Sequence, residues 1–557
     1  MKKIQYVKLV GLLTILLFLN ISCKDDDTLL RGSGITEQSW STNQTYFASA
    51  EQTLTFTFTT LSSWTAQNSS TALLSLDNTA GNSGENTIKV TVHKSSQEQG
   101  TITIKVNGYS SASNIKIQLS DDDVQGYEIN YSVDQYLREK YLWNDDYKLL
   151  TPNFRQAYDE FLRNTLLSMT TNTLDKKRNS NGTYSLFSFI QKLDPDLQTS
   201  RSAKEKKTLE YNYGFVNFIA VGNRNTSNYG LVIQGVHKGS SADKEGLKRG
   251  MEITEIDNQR ITTANVQACY SKLIKPSSPT SIKVKDKDGK VYTINSGPIY
   301  ANPIIHHQVK EKIGYLVYSA FESGFDQELF DVFKEFKSQN ITELILDLRY
   351  NGGGDVTSAN LMSSCIAGDF CVDKTFASYR YNDERMKALG NQRPIQKFAY
   401  SQYDNLSTSL SAGGLKLQKI YCLVTDDSAS ASELVINALR GIDIEVILIG
   451  TTHGKNVGME GVELTAGTDK YLLFPITFQA YNAKGFGDFE NGFTPDYEIN
   501  ENQPNGEYFE GYGDFGTESD PLYAKAIILI SGSKVTTPTR AVNQAKEQML
   551  VIATPRL

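Results

Sequence analysis

The chain has 557 residues, with 56 basic and 63 acidic side chains and a formal net charge of -7 at pH 7. This length exceeds what one hydrophobic core usually serves, so we expect several domains. The slightly acidic balance gives no electrostatic basis for binding nucleic acid. The five histidines include no H-E-x-x-H motif and the five cysteines no C-x-x-C spacing. We therefore expect neither a metal site nor a cofactor.

Residues 1–22 have the pattern of a secretory signal, with an apolar run from Leu9 to Leu19 that is too short to span a bilayer alone. With Cys23 after a small residue, the segment resembles a bacterial lipoprotein signal, although Asn20 stands where such signals prefer leucine. The resemblance implies lipidation of Cys23 and anchoring to the outer membrane, on its periplasmic or its outer face. The acidic residues that follow, within a linker over 23–34, resemble the tag of surface-exposed Bacteroidetes lipoproteins. A plain secretory signal with an incidental cysteine is the alternative.

Residues 35–120 alternate between apolar and polar side chains, as in "TLTFTFTT" (53–60) and "GTITIKV" (100–106). This period of two predicts short antiparallel strands in an all-β sandwich. The stretch resembles the BACON-type immunoglobulin-like domains of Bacteroidetes surface proteins. That resemblance implies either a glycan-binding domain or a spacer that carries no ligand.

Residues 128–205 change to helical spacing. Leu137 and Tyr141, and later Phe161 and Leu162, recur at helix-face intervals. We therefore expect a small helical domain.

Residues 211–300 return to strand patterns around a short helical segment that ends at Gly246. This stretch resembles a PDZ domain, which binds an extended peptide by adding it to the edge of a sheet. The resemblance implies that Tyr213, Gly214 and Phe215 supply the carboxylate loop and the start of the peptide-binding strand. A hinge without a ligand is the alternative.

Strand and helix patterns alternate regularly over 301–530, which predicts an α/β core with a parallel sheet, before a C-terminal tail over 531–557. Ser430 follows an apolar strand and begins a helical pattern. With Glu433 it forms the S-x-x-E spacing of a capping box, so the serine is either a helix cap or a nucleophile. No G-x-S-x-G pentapeptide occurs in the chain.

Two further loops follow predicted strands of the same layer. Lys455 comes after "IEVILIG" (444–450), and Gly352 and Gly353 come after "ELILDLR" (343–349). Loops at the carboxyl ends of neighbouring parallel strands meet at one edge of the sheet. A lysine amine acts as a base only when neutral, and burial lowers its pKa. Glycines after a strand can turn amides toward an oxyanion, and the amide of Ala431 would be a second donor.

The motifs "DLRYNGGG", "SASASE" and "GTTHGK", in this order behind a PDZ-like segment, resemble the C-terminal processing serine peptidases of the S41 type over about 128–530. The resemblance implies a ClpP/crotonase-like α/β core. It also implies an endopeptidase that cleaves unfolded or C-terminally exposed polypeptides. Ser430 would be the nucleophile and Lys455 the base, and amides of Gly352 or Gly353 and of Ala431 would form the oxyanion hole.

One position departs from the S41 pattern. Many members place a glutamine four residues after the lysine to orient it, and this chain has Met459 there, followed by Glu460. Either another group positions Lys455 or activity is low. A weak or inactive surface protein that binds peptide or glycan is thus the alternative function. His453 offers a Ser-His alternative, although residues two apart on an extended loop point in opposite directions.

Overall fold

The computed structural model describes residues 32–40, 45–120, 124–178, 182–193, 209–223, 228–276, 278–399, 409–451, 454–503, 509, 511–532 and 549–553. The predicted signal peptide, the lipidation site Cys23 and the candidate base His453 lie outside the described residues. The chain divides into two compact units, one of Met1–Tyr131 with Phe154–Ala157 and one of Ser132–Asn153 with Tyr158–Leu557. No helix in the described segments is both long and apolar enough to cross a membrane.

The first unit contains two β-sheets. Its strands are β1 (Ile35–Gln38), β2 (Thr45–Ser49), β3 (Thr53–Thr60), β4 (Trp64–Asn68), β5 (Leu74–Leu76), β6 (Ala80–Gly81), β7 (Gly84–Val92), β8 (Gln99–Val106) and β9 (Ala112–Ser120). The sheet orders are β1-β3-β7-β5 and β2-β9-β8-β4-β6. Along β8 and the second halves of β3 and β7 every second residue is buried, including Phe58, whose ring meets Trp64 edge-on with the centroids 4.9 Å apart. The alternation predicted these strands, and the immunoglobulin-like assignment stays a prediction.

The segment after these two sheets begins with helices and continues with short strands. The helices are α1 (Val124–Lys140), α2 (Asn144–Tyr147) and α3 (Tyr158–Ser168), with a 3-10 turn at Thr173–Asp175. The strands are β10 (Lys176–Arg178), β11 (Tyr184–Leu186) and β12 (Phe189–Lys192). The prediction of a helical domain over 128–205 is therefore wrong for the described residues of its second half, which form strands.

The next part of the second unit is a mainly antiparallel sheet with two helices. Its elements are β13 (Leu209–Asn212), β14 (Phe215–Asn223), β15 (Tyr229–Val236), α4 (Ser241–Lys244), β16 (Glu252–Ile256), β17 (Gln259–Arg260), α5 (Val266–Ile274), β18 (Ser281–Asp286), β19 (Val291–Asn295) and β20 (Gly297–Tyr300). Strands β19, β18, β16, β15 and β14 lie side by side, and β13 pairs with β20.

The largest part of the chain is the alternating region. Its first half contains β21 (Ile304–Lys310), β22 (Ile313–Tyr318), α6 (Asp326–Ser338), β23 (Glu343–Asp347), α7 (Val356–Ala367), β24 (Thr375–Arg380), α8 (Asp383–Ala388) and β25 (Ile395–Lys397). Its second half contains β26 (Lys419–Val424), α9 (Ala431–Gly441), β27 (Glu445–Gly450), β28 (Val457–Met459), β29 (Val462–Ala466), β30 (Asp469–Phe474), β31 (Ile476–Tyr481), β32 (Tyr497–Glu498) and α10 (Pro521–Ser531). Three 3-10 turns, at Ser323–Phe325, Gly368–Cys371 and Leu410–Ala412, and a last strand, β33 (Met549–Ala553), complete the described elements.

The central sheet has the order β21-β22-β23-β26-β27-β32, and it is parallel from β22 to β32. Helices α6, α7 and α9 cover one face through a core that includes Phe330, Leu361 and Leu439. Helix α10 covers the other face through Leu522 and Ala526. Both faces are buried, as the apolar strand sequences predict. The loops that follow β23, β26 and β27 therefore leave the sheet at the same edge.

Strand β12 shows why the helical domain is not separate. It pairs in antiparallel register with β30, so that Phe189 lies opposite Phe474 and Lys192 opposite Tyr471. The partner strand is about 280 residues away in the sequence. A local pattern carries no sign of such a partner, which explains the wrong prediction.

A buried ionic network supports the same region. Arg349 is fully buried after β23, and its guanidinium donates to Asp347, Glu501 and Asp520. Arg249, which precedes the turn glycine Gly250, binds Glu501 at 3.1 Å. Two cations thus share the carboxylates between the antiparallel sheet and the α/β core.

We expect Arg349→Met to lower the free energy of unfolding by about 3–5 kcal/mol, because it leaves buried carboxylates without their cation. Urea unfolding measures the change. Arg380→Met is the matched control, since Arg380 pairs with Asp383 on the surface, where loss of the pair costs about 1 kcal/mol or less. Equal effects of the two substitutions would contradict the assignment.

Candidate active site

Ser430 stands at the corner between β26 and α9, in the N-cap position of that helix. Its backbone has φ 57° and ψ -112°, a conformation that residues other than glycine rarely adopt. The side chain is half-buried. Strained backbone that is retained at a strand-to-helix corner is a common property of functional residues.

The two flanking serines hold the corner in place. The hydroxyl of Ser428 donates to the carbonyl of Leu348 at 2.8 Å, and that of Ser432 donates to the carbonyl of Asn351 at 2.9 Å. The N–H of Ala429 also donates to the Asn351 carbonyl, at 3.1 Å. The structure thus gives Ser428 and Ser432 structural contacts and binds the Ser430 corner to the loop after β23.

The glycine loop lies directly against Ser430. A Cβ atom on Gly353 would lie 2.8 Å from the Cβ of Ser430 and 2.9 Å from the amide nitrogen of Ala431, and Gly353 has φ 109°. The N–H of Gly353 donates to Asn351 Oδ1 at 2.9 Å. Gly352 is exposed, and a Cβ on it would meet only the Asp427 carbonyl, at 4.0 Å.

These contacts distinguish the two candidate donors of the loop. The N–H of Gly353 is engaged, whereas that of Gly352 has no partner within the described segments. Ala431 is the first residue of α9, where a helix leaves its N–H groups without intrahelical acceptors. Of the predicted donors, the amides of Gly352 and Ala431 are therefore the two without a hydrogen-bond acceptor in the described segments.

Lys455 is buried after β27. Burial lowers the pKa of its ammonium group to about 8, and the carboxylates of Asp175 and Glu433 oppose that shift. Gly454 and Gly458 allow the close packing around the lysine. A Cβ on Gly454 would lie 1.9 Å from the Glu490 carbonyl, and one on Gly458 would lie 2.1 Å from the ring of Phe478.

Glu433 connects the serine corner with the lysine loop. Its Oε2 accepts the N–H of Ser430 at 3.1 Å and the N–H of Lys455 at 3.0 Å. Burial raises the pKa of Glu433 well above its ordinary value, and these two hydrogen bonds oppose the rise. The capping-box spacing located this carboxylate, but only the tertiary structure shows its second contact.

Neither Met459, which departs from the S41 pattern, nor the next residue, Glu460, orients Lys455. Met459 ends β28, and Glu460 binds Arg385, with Nη1 2.5 Å from Oε2. No carboxylate among the described residues forms an ion pair with the Lys455 ammonium. The geometry thus leaves the orientation of Lys455 to groups other than its sequence neighbours.

The predicted peptide-binding loop lies in the antiparallel sheet. The carbonyl of Tyr213 accepts the N–H of Ala242 at 2.9 Å, and the N–H of Gly214 donates to Asn212 Oδ1 at 2.6 Å. Phe215 is buried at the start of β14. One edge of β14 pairs with β15 and the other pairs with β33.

The arrangement combines a hydroxyl, a buried amine of lowered pKa and two amides at one sheet edge. These are the parts that acyl transfer by a serine nucleophile requires. The structure shows no group of three or more His, Cys, Asp or Glu side chains that could hold a metal ion in the part of the chain that it describes.

Comparison with known proteins agrees with this geometry. Residues 312–499 match the model of Peptidase family S41, and residues 207–285 match the model of the PDZ domain. The chain carries an S41 peptidase domain behind a PDZ domain. The resemblance seen in the sequence motifs is confirmed for both domains.

The relatives of the S41 domain are distant. The chain is 24% identical over 285 residues to the carboxyl-terminal-processing peptidase 3 of Arabidopsis thaliana chloroplasts, covering 48% of this chain and 50% of that protein. It is 24% identical over 303 residues to a carboxyl-terminal-processing protease of Picosynechococcus, covering 53% and 65%. The chain therefore spans about half to two thirds of the length of these curated relatives.

A solved structure supports the fold. An S41 protease candidate from Bacteroides fragilis superposes with a TM-score of 0.55 at 24% identity, covering 72% of this chain and 97% of that one. At this identity the likeness shows the fold alone.

We expect Glu433→Ala to lower the free energy of unfolding by about 2 kcal/mol or more, because two buried N–H groups lose their acceptor. Glu433→Gln is the matched control, since its amide oxygen can accept both hydrogen bonds. Urea unfolding of both variants measures the difference. Equal destabilisation by alanine and glutamine would show that the shared acceptor is unimportant.

Proposed function

We propose that the chain is a serine endopeptidase that hydrolyses peptide bonds of unfolded or C-terminally exposed polypeptides. The observation that carries the proposal is the single Glu433 oxygen that binds the backbone of both Ser430 and Lys455. It holds a strained serine and a buried lysine at one corner of an S41 domain. The S41 match and the carboxyl-terminal-processing relatives support a serine-type peptidase.

In the proposed mechanism, Ser430 Oγ attacks the carbonyl carbon of the scissile bond while the neutral amine of Lys455 takes the hydroxyl proton. The amides of Gly352 and Ala431 hold the oxygen of the tetrahedral intermediate. The Lys455 ammonium then donates its proton to the leaving amine. The same lysine then takes a proton from water as the water oxygen attacks the acyl-enzyme, and the resulting ammonium returns a proton to Ser430 Oγ as the ester bond breaks.

The proposed dyad is adapted to slightly alkaline pH. An ordinary lysine, with a pKa of about 10.4, would be almost fully protonated at pH 8. With a pKa of about 8, roughly half of the Lys455 side chains are neutral at that pH. Burial in the S41 domain thus makes the amine available as a base without a histidine.

The other parts of the chain have supporting roles in this proposal. The PDZ domain would hold an extended segment of the substrate at an edge of its sheet. Lipid on Cys23 would keep the enzyme in the cell envelope. The sandwich of the first unit would serve as a spacer or bind glycan, and no observation favours one over the other.

We expect the soluble chain after Cys23 to cleave an unfolded protein, and Ser430→Ala and Lys455→Met to abolish the fragments. Each variant removes a group that transfers the proton or forms the acyl bond. Mass spectrometry of the digest measures the products and the residue preference. Matching melting temperatures would show that the variants fold. No cleavage by folded wild-type protein would favour the binding-only alternative that Met459 suggests.

The pH dependence of kcat/KM, measured with the same soluble chain, identifies the base. Because the base must be neutral, kcat/KM rises with pH through a limb near 8, where Lys455 loses its proton. His453→Ala should leave that limb in place. A limb near 6.5 that vanished in His453→Ala would transfer the role from the lysine to the histidine.

A further inference from the structure

The surroundings of Lys455 contain one aromatic contact that its sequence neighbours do not supply. The Lys455 Nζ lies 4.9 Å from the centre of the Phe187 ring. A cation over an aromatic face at this distance is attracted to the ring. Phe187 belongs to the segment between β11 and β12, far from the S41 motifs in the sequence.

Asp175 fixes the segment that carries this ring. Its Oδ1 accepts the N–H groups of Phe187 and Ser188 at 3.1 and 2.8 Å, and its Oδ2 accepts the Ser188 hydroxyl at 2.7 Å. The Tyr141 hydroxyl donates to the same Oδ2 at 2.6 Å. Asp175 is fully buried, and its main-chain carbonyl also accepts the Phe187 N–H at 2.9 Å. Its side chain and its main chain together hold the segment that carries the Phe187 ring.

The same network reaches the strand that follows the lysine. The Ser188 hydroxyl accepts the N–H of Ile476 at 3.0 Å, at the start of β31. Strand β31 pairs with β28, and Ile476 lies opposite Met459. Asp175 is therefore hydrogen-bonded both to the segment that carries the ring over the Lys455 amine and, through Ser188, to the backbone opposite Met459.

The charge of Asp175 acts on the lysine as well. Asp175 and Glu433 are the carboxylates that favour the charged form of Lys455 against burial. Burial raises the pKa of Asp175 itself, which its hydrogen bonds from Tyr141 and Ser188 and the charge of Lys455 oppose. Lys176, the next residue, also interacts with the Asp175 carboxylate.

We infer that Asp175 is a positioning residue for the base Lys455, acting through Phe187 and Ser188. This inference rests on the proposed function. Asp175 touches neither substrate nor the reacting atoms. It orients the amine toward Ser430 and stabilises the ammonium that forms when the serine proton is transferred.

We expect Asp175→Asn to lower kcat about tenfold or more and to move the limb of the kcat/KM profile to lower pH by about half a unit or more. Loss of the carboxylate disfavours the ammonium, so the sign of the shift is downward. The rate of Ser430 labelling by a fluorophosphonate, measured against pH, reports the base independently of peptide turnover.

Asp134→Asn is the matched control. Asp134 is another buried carboxylate of the helical segment that accepts a tyrosine hydroxyl, from Tyr147 at 3.1 Å. It binds Arg138, not the surroundings of Lys455. We expect this variant to lose stability while the pH limb stays at its wild-type position.

Ser188→Ala distinguishes the positioning of Lys455 from the effect of the Asp175 charge. It also tests the inference if Asp175→Asn fails to fold. It keeps the Asp175 carboxylate but removes the hydroxyl that links it to Ile476, so kcat falls while the limb stays in place. Wild-type kcat in Ser188→Ala, or an unshifted limb in folded Asp175→Asn, would overturn the inference. An inactive wild-type chain would instead refute the proposed function.

A second inference rests on the pairing of β33. This strand adds in antiparallel direction to β14, with Met549 opposite Asn223, Val551 opposite Val221 and Ala553 opposite Ala220. The chain direction of β33 thus runs toward the Tyr213–Phe215 loop. Since the opposite edge of β14 pairs with β15, β33 occupies the edge to which a PDZ ligand would add.

Helix α5 borders the same strand, because the Tyr270 hydroxyl donates to Asn217 Oδ1 of β14 at 2.9 Å. We propose that residues 549–553 are an internal ligand of the PDZ domain and compete with an external peptide for β14. An external peptide then binds β14 only when β33 dissociates from it. This inference requires the PDZ domain but not the peptidase activity.

A fluorescein-labelled peptide with the sequence of residues 547–557 tests the competition by anisotropy. We expect it to bind the full-chain variant Val551→Pro at least tenfold more tightly than the wild-type chain, because proline is poorly tolerated inside a paired strand. The same peptide carrying the Val551→Pro change is the control and should bind neither protein. Equal affinity for the two proteins would overturn the proposal.

Discussion

The candidate site depends on one buried carboxylate that serves two loops. Glu433 caps α9 at Ser430 and, with the same oxygen, accepts the N–H of Lys455. A capping interaction alone would fix only the start of a helix. Because the second hydrogen bond comes from the loop after the neighbouring strand, the serine and the lysine keep a defined separation. The strained φ of Ser430 is retained because this acceptor and the flanking serines hold the corner from both sides.

Burial is the physical property that would make Lys455 available as the proposed base. The desolvation that lowers the pKa of Lys455 also raises the free energy of its charged form, and a buried charge without partners would destabilise the fold. The carboxylates of Asp175 and Glu433 and the ring of Phe187 provide that compensation. Burial lowers the pKa of Lys455, which full solvation would not do. The nearby carboxylates still stabilise the ammonium, which could not form in an isolated apolar site.

A second set of charges connects the PDZ domain with the S41 domain. Arg249 donates to the hydroxyl of Tyr350, which lies two residues before Gly352, and both side chains bind Glu501. Tyr350 has φ 62°, so its backbone is also held in an uncommon conformation. Arg249 of the PDZ domain and Tyr350, close to the loop next to Ser430, therefore share Glu501 as a hydrogen-bond partner.

The sequence by itself determined the α/β alternation, the strands of the first unit, the PDZ segment and the three loops of the site. These are local features, since period, turn residues and motif spacing are written in consecutive residues. The hydrogen bond that engages Gly353 but not Gly352, the second contact of Glu433, the pairing of β12 with β30 and the pairing of β14 with β33 were decided only by the tertiary structure. Asp175 belongs with these, because its link to Lys455 crosses 280 residues and passes through a ring and a hydroxyl that follow no motif. Long-range contacts of this kind depend on which surfaces pack together, and no local pattern records that.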